Sequence, residues 1–280
     1  MTNNPFTKNQ SCISRFFLLM SLTCVSFVSC ESDKDEKADA PKRLTEMTYQ
    51  ETSLDDDRKD GDESCVLQLL YDSDGRVIKE ISNSQSDRRN TKTECTYQYG
   101  DKFIALQIIE EEERTGGTTR LEIERHKYVL ENGLIVSDTI RDRSSVDIWS
   151  YSYDDEKKIK LATYKTSNRT YEYNYVWEDG NIMKIQAKGD TCNYTYTTLP
   201  WKKGFIGSYG SHLNGYLWDA GYFGKRPLNL PAEFTEKEGH YTMRCSYEYT
   251  VTDGLITKLK EDRLDTDFGQ RTTTCTLKWE

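Results

Sequence analysis

The chain has 280 residues, a formal charge of −9 from 38 basic and 47 acidic side chains, and 35% apolar residues, with 19 Tyr against 9 Phe. The length holds one large β domain or two small ones, and the acidic balance without an arginine-rich run excludes nucleic acid as the main partner. Abundant Tyr suits half-solvated antiparallel sheets, where the ring packs and the hydroxyl stays near water.

Residues 1–29 stand apart from the rest. Lys8 and Arg15 precede an apolar or small run from Phe16 to Val28, a charged segment and then a hydrophobic one of secretory length, short for a membrane span. Phe27-Val-Ser-Cys30 resembles the lipobox of bacterial lipoproteins. That resemblance implies cleavage before Cys30, a diacylglycerol on its thiol and attachment to a membrane; an ordinary signal peptide cut nearby is the alternative. Residues 30–43 hold Glu31, Asp33, Asp35, Glu36 and Asp39 and nothing able to build a core, so they read as a solvated acidic tether. An acidic stretch after the lipidated Cys also resembles the export signal of Bacteroides-type surface lipoproteins. It implies an outer-membrane, lipid-anchored, surface-exposed protein.

A single domain is expected over 44–280, beginning with a strand that sets Met47 and Tyr49 on one face. Five segments then share one pattern: Cys65-Val-Leu-Gln-Leu69, Cys95-Thr-Tyr-Gln-Tyr99, Cys192-Asn-Tyr-Thr-Tyr196, Cys245-Ser-Tyr-Glu-Tyr249 and Cys275-Thr-Leu-Lys-Trp279. Alternate residues of a strand face opposite ways, so each segment is a strand with one buried and one wet face. Asp74-Gly75, Asn132-Gly133, Asp179-Gly180 and Asp253-Gly254 separate alternating runs, the strongest short-range hairpin signal. The predicted fold is all-β, a large twisted antiparallel meander of roughly a dozen or more strands, open, rolled or barrel-like. A sheet of that size must curl or be covered.

The hairpin rhythm stops over the insert 199–238. Leu213, Tyr216, Leu217 and Ala220 hold the i, i+3, i+4, i+7 stripe of one short helix, which Gly221 can stop. The helix is expected to lay its Leu/Tyr/Trp face on the tyrosine face of the sheet. Trp201, Tyr209, Trp218 and Tyr222 in this insert are the candidate ligand-binding residues.

The Tyr-x-Tyr…Asp-Gly-x-Ile-x-Lys units are similar to the hairpins of Rhs-type YD-repeat proteins. With the lipobox and the segment Tyr222-Phe-Gly224-Lys…Leu228-Asn-Leu-Pro231, the chain resembles a domain-of-unknown-function family of Bacteroides-type lipoproteins. The resemblance covers nearly all of the chain after the leader. It implies a secreted or surface β-sheet protein and supplies no catalytic residues.

Little in the chain points to chemistry. Cys65, Cys95, Cys192, Cys245 and Cys275 hold the same place in their units. Equivalent strands of successive hairpins lie two strand spacings of ~4.8 Å apart, beyond the roughly 7 Å between Cα atoms that a disulfide spans. They are expected to be mostly free, core-filling thiols, with one bridge left open; Trp149, Tyr171 and His126 occupy the same slot in other units. The three His lack metal-ligand spacing, and no nucleophile elbow, P-loop or dinucleotide fingerprint is present. No metal or cofactor is expected. The acidic stretch Asp55–Glu63 has no calcium-loop spacing and reads as a solvated loop. Asp138-Thr139-Ile140 resembles a Bacteroides-type O-glycosylation motif, on Thr139.

Three functions follow. The first is a non-enzymatic, lipid-anchored surface protein that binds a glycan or a protein partner. The second is a structural envelope protein, and the third a glycan-active hydrolase or lyase working through paired carboxylates.

Overall fold

The computed structural model describes residues 42–53, 62–143, 145–202, 213–267 and 269–280. Cys30, the tether as far as residue 41, Tyr209 and positions 54–61 of the acidic loop lie outside the described residues.

Sixteen strands follow one another in antiparallel order. The first eight are β1 (Leu44–Ser53), β2 (Glu63–Tyr71), β3 (Val77–Ser86), β4 (Arg89–Tyr99), β5 (Phe103–Arg114), β6 (Thr118–Glu131), β7 (Leu134–Arg141) and β8 (Val146–Tyr153). The rest are β9 (Ile159–Lys165), β10 (Thr170–Glu178), β11 (Asn181–Ala187), β12 (Asp190–Pro200), β13 (Asn229–Glu238), β14 (Tyr241–Thr252), β15 (Leu255–Asp265) and β16 (Gly269–Trp279). Among the described residues a single helix, α1 (Gly215–Asp219), lies between β12 and β13. Each strand pairs with its neighbours in sequence, and β16 returns to β1 with Cys275 opposite Tyr49. The sheet therefore closes into a barrel, which removes its edges. Three of the four hairpin signals have the paired positive φ of a type I′ turn, at Asn132 and Gly133, Asp179 and Gly180, and Asp253 and Gly254; in the turn at Asp74-Gly75 only Gly75 has it.

The wall has a dry inside and a wet outside. On β4 the inward residues Thr91, Thr93, Cys95 and Tyr97 are at most 5% exposed, while the outward ones include Lys92, Thr96 and Gln98. On β2 Cys65, Leu67 and Leu69 point in, and Ser64, Val66, Gln68 and Leu70 point out. A barrel that spans a bilayer has the reverse pattern, an apolar outer band around a polar lumen. Barrels of 16 strands in that class enclose water; here inward Tyr, Trp, Ile and Leu from around the sheet join one buried cluster. Each buried ring contributes on the order of 1.5–3 kcal/mol.

The five cysteines are buried and no disulfide joins them. Tyr49 shows why: Cys65 is its direct neighbour on one side and Cys275 on the other, so the two thiols are two strands apart. Burial pushes the thiols of Cys95, Cys192, Cys245 and Cys275 upward, away from reactivity.

The last aromatic of each unit, which ends the repeat or, as Tyr71 and Trp177, stands two residues beyond it, has a further task. The hydroxyls of Tyr71, Tyr99, Tyr153, Tyr196 and Tyr249 donate to the carbonyls of Leu44, Val77, Ile135, Ile182 and Pro231 at 2.6–2.8 Å. Trp177 and Trp279 donate their ring N–H to Ile159 and Ile256 at 2.8 and 2.9 Å. Each acceptor lies near the start of the preceding strand, where a bulge shifts the ladder in most of these hairpins. The aromatic tip satisfies a carbonyl that the shifted ladder would leave open.

These latches ring the end at which the chain enters the barrel, where Arg43 and Glu280 also exchange backbone hydrogen bonds. The same near end is plugged by the insert. Asn214 caps α1 by accepting from the Leu217 amide and donates to the Tyr97 hydroxyl, both at 3.1 Å. Tyr216 meets Tyr97 edge-on at 6.3 Å, and Phe223, fully buried, does the same to Tyr151 at 5.1 Å and Tyr128 at 6.4 Å. The helix thus lies on the tyrosine face as expected, though it is shorter than the apolar stripe. Gly224 and Gly180 explain the Gly-Lys…Asn-Leu-Pro segment. Gly224 has φ +76, a Cβ there would overlap the Lys157 carbonyl oxygen, and Lys157 accepts from the Lys225 amide at 2.9 Å. Gly180 is equally tight against Leu228, whose amide it accepts at 3.1 Å.

Candidate functional site: the far mouth of the barrel

The described part of the insert packs into the near end, and the far end, formed by the opposite ends of the same strands, carries a second group of candidate residues. There the inward positions change character. Moving along β5 from the plug, Ile104, Leu106 and Ile108 give way to Glu110 and Glu112; along β6, Tyr128 gives way to His126, Glu124 and Glu122. Glu51, Glu63, Asp138, Glu236 and Asp265 continue the polar belt on other strands.

Most of these charges are paired, as burial demands. Arg271 meets Glu51 at 2.6 Å, Arg263 meets Asp265 at 3.0 Å, and Arg89 lies 3.8 Å from both Glu63 and Glu112. His126 is held between Asp138 on Nδ1 at 2.8 Å and Glu124 on Nε2 at 2.7 Å. Burial alone would lower the His126 pKa; the Asp138 and Glu124 carboxylates win and raise it to about 10, so the imidazolium persists at neutral pH. Glu110 is only 4% exposed, and burial, with Glu122 opposite it, pushes its pKa to about 7. Burial likewise raises Asp190 to about 6 and Glu236 to about 7.

Between β8 and β11 the belt carries rings as well. Trp149, 6% exposed, stacks on Tyr164 at 4.6 Å, and Tyr164 stacks on Tyr171 at 6.1 Å. Tyr173 tilts against Trp149 at 5.4 Å. Tyr164 and Tyr171 are half-buried. Tyr164 donates its hydroxyl to Asp147 at 2.7 Å, and Asp190 closes the sector on β12. The arrangement is a stack of three rings that ends at Tyr171 and is flanked by carboxylates. Such a row can stack against the apolar face of a sugar while carboxylates accept from its hydroxyls. Among the described residues no group of His, Cys, Asp and Glu is placed to hold a metal ion.

The insert aromatics lie at the other end. Trp218 is 4% exposed and donates its ring N–H to the Lys225 carbonyl at 3.2 Å, so it belongs to the plug. Tyr222 is half-buried and stacks on Tyr99 at 6.2 Å, and Trp201 lies under the Arg226 guanidinium at 5.5 Å. Thr139 faces outward on β7, opposite Lys127 and Ile148. Sequence reasoning missed the Tyr164–Tyr171 row as a site because it assigned Tyr171 and Trp149 to a packing slot. The available signal was the nearby Thr166–Thr170 turn, which places that slot beside solvent rather than in the middle of the wall.

Comparisons with known proteins match this architecture. A family model described as a domain of unknown function with porin-like fold (DUF4595) matches residues 69–254. A porin-like protein from Bacteroides uniformis is similar in structure, with a TM-score of 0.55 at 15% identity over 85% of this chain and 96% of that one. Another from Bacteroides vulgatus gives 0.50 at 12% identity over 84% and 97%. These likenesses establish the fold. No curated protein matches the chain.

Proposed function

The chain belongs to the DUF4595 family of domains of unknown function with porin-like fold, and from that premise we propose a non-enzymatic envelope protein that binds a glycan at the far mouth of its barrel. The observation that carries this reading is the Trp149–Tyr164–Tyr171 row, buried at Trp149 and half-buried at Tyr164 and Tyr171, beside Asp147 and Asp190. The wall supports it too. Its outer face sets charged and polar side chains among exposed apolar ones such as Val66, Leu70, Ile148 and Val176, and charges in a bilayer midplane cost about 2–4 kcal/mol each, so the wall is read as facing water. Membrane attachment falls to Cys30, through the lipid anchor implied by its lipobox. A tether from Cys30 reaches the barrel at Leu44, at the plugged near end, which turns the mouth away from the membrane and towards partners at the cell surface.

The test uses the full-length protein in mild detergent on an array of neutral and charged glycans. Retention of a glycan class that Tyr164→Ala and Tyr171→Ala each weaken at least tenfold supports the proposal. Absence of retention, or retention that neither substitution changes, refutes it. Turnover of the retained glycan that is lost on Glu110→Gln would refute the non-enzymatic part.

A further inference from the structure

We propose that the ligand of the mouth is an anionic linear polysaccharide, bearing carboxylate or sulfate groups, held by the basic turns of the β7–β12 rim. This rests on the reading of the mouth as a glycan site and deepens it.

Basic residues gather on one part of the far rim, where Asp142 is the one exposed acid in the turns; exposed acids lie elsewhere, at Asp62, Asp87 and Asp267 on other far-end turns and at Asp74, Asp101, Asp155, Asp179 and Asp253 at the near end. At the far end the three successive turns β7–β8, β9–β10 and β11–β12 expose Arg141 and Arg143, Lys165 and Arg169, and Lys188. Folding uses few of these cations. Arg143 donates to the Leu121 carbonyl and Arg169 to the Tyr171 hydroxyl at 3.3 Å. Arg141, Lys165 and Lys188 have no ion pair among the described residues. Arg141 also stands directly opposite Arg125 on β6, both exposed. Like charges in that position destabilise a sheet, a cost that an anion lying over the pair removes.

Position and spacing select the ligand. Arg169 touches Tyr171, so the basic rim and the aromatic row are one continuous surface. Successive far-end turns are two strands apart, about 10 Å, which suits a polymer whose charge recurs at every second sugar. Nucleic acid is a poorer match, because its charges are far denser and the carboxylates Asp147 and Asp190 just inside the rim would repel them. Those same carboxylates suit sugar hydroxyls and keep the anionic groups out at the rim.

The experiment measures binding of the full-length protein to polygalacturonate, a sulfated glycosaminoglycan and neutral dextran, at low and high salt. The proposal expects retention by at least one anionic polymer and not by dextran, weakening with salt. Charge reversal in Arg141→Glu/Lys165→Glu/Lys188→Glu should weaken it at least tenfold, and Asp253→Lys at the other end should not. Circular dichroism confirms that each variant is folded. Tyr171-dependent binding of dextran, insensitive to salt and to rim reversal, would overturn the proposal while leaving the mouth a glycan site. Loss of all polysaccharide binding would overturn both readings. Rim-dependent binding of phosphatidylserine vesicles or of polyglutamate, without binding of any polysaccharide, would overturn both in favour of another partner.

Discussion

At the scale of single residues, the repeat Cys-x-aromatic-x-aromatic divides its labour. The Cys fills a small dry slot, the first ring packs, and the second ring packs while its polar tip latches the preceding strand. The first two roles were legible in the period-two spacing; the third was not, because its acceptor is defined by a bulge that spacing does not show. Tyr153→Phe removes one latch and leaves the Ile135 carbonyl open, so it should cost about 0.5–1.5 kcal/mol in urea unfolding. A change within error would mean that the 2.6 Å bond adds nothing to stability. Cys95→Ser places a hydroxyl at a fully buried position between Glu80 and Ile108 and should cost about 1–3 kcal/mol. Its mobility on a non-reducing gel should match the parent; a shift would reveal a disulfide that the two-strand separation forbids.

Among elements, the hairpins were readable and the insert only half so. Paired positive φ at Asn132-Gly133 and its equivalents follows from residue type alone. The helix stripe at Leu213, Tyr216, Leu217 and Ala220 was visible, but α1 starts only where Asn214 can cap it and ends at Asp219. What no pattern could show is that the insert folds into the barrel end, because its contacts with Tyr97, Tyr128 and Tyr151 join positions far apart in sequence. Of the aromatics it carries, Trp218 packs within the plug while Trp201 and Tyr222 are half-buried. Gly224→Ala should lower stability by at least about 1–3 kcal/mol, combining positive φ with a backbone overlap. Gly221→Ala, with positive φ but open space around it, should lose less. Equal losses, measured by thermal unfolding, would show that the docking against Lys157 is not tight.

For the molecule as a whole, buried charge sets a pH preference. Glu80, beneath the plug beside Tyr216, is raised to about 8 by burial, and Glu110, Glu236 and Glu261 to about 7. A carboxyl whose folded pKa exceeds its unfolded value favours folding while protonated, so stability falls as pH rises from the unfolded pKa of 4.5 towards 7–8. His126 adds stability that is full below 6.5 and lost as pH rises through about 10. Both point the same way: thermal stability should be highest at mildly acidic pH and decline steadily from about pH 5 to pH 9. Glu80→Gln should flatten the part between pH 4.5 and 8; an unchanged slope would exclude Glu80 as a source.

Barrel closure and the direction of the wall also belong to this scale. Alternation named a wet and a dry face on every strand, but closure depends on β16 meeting β1, and no local pattern carries that. The most direct measurement of which way the wall faces is the behaviour of the Cys30→Ser protein, exported behind a cleavable signal peptide. A barrel with polar residues outside predicts a folded β protein that leaves the membrane fraction and stays monodisperse without detergent. Retention in carbonate-washed membranes, with release only by detergent, would contradict it and place the wall in lipid.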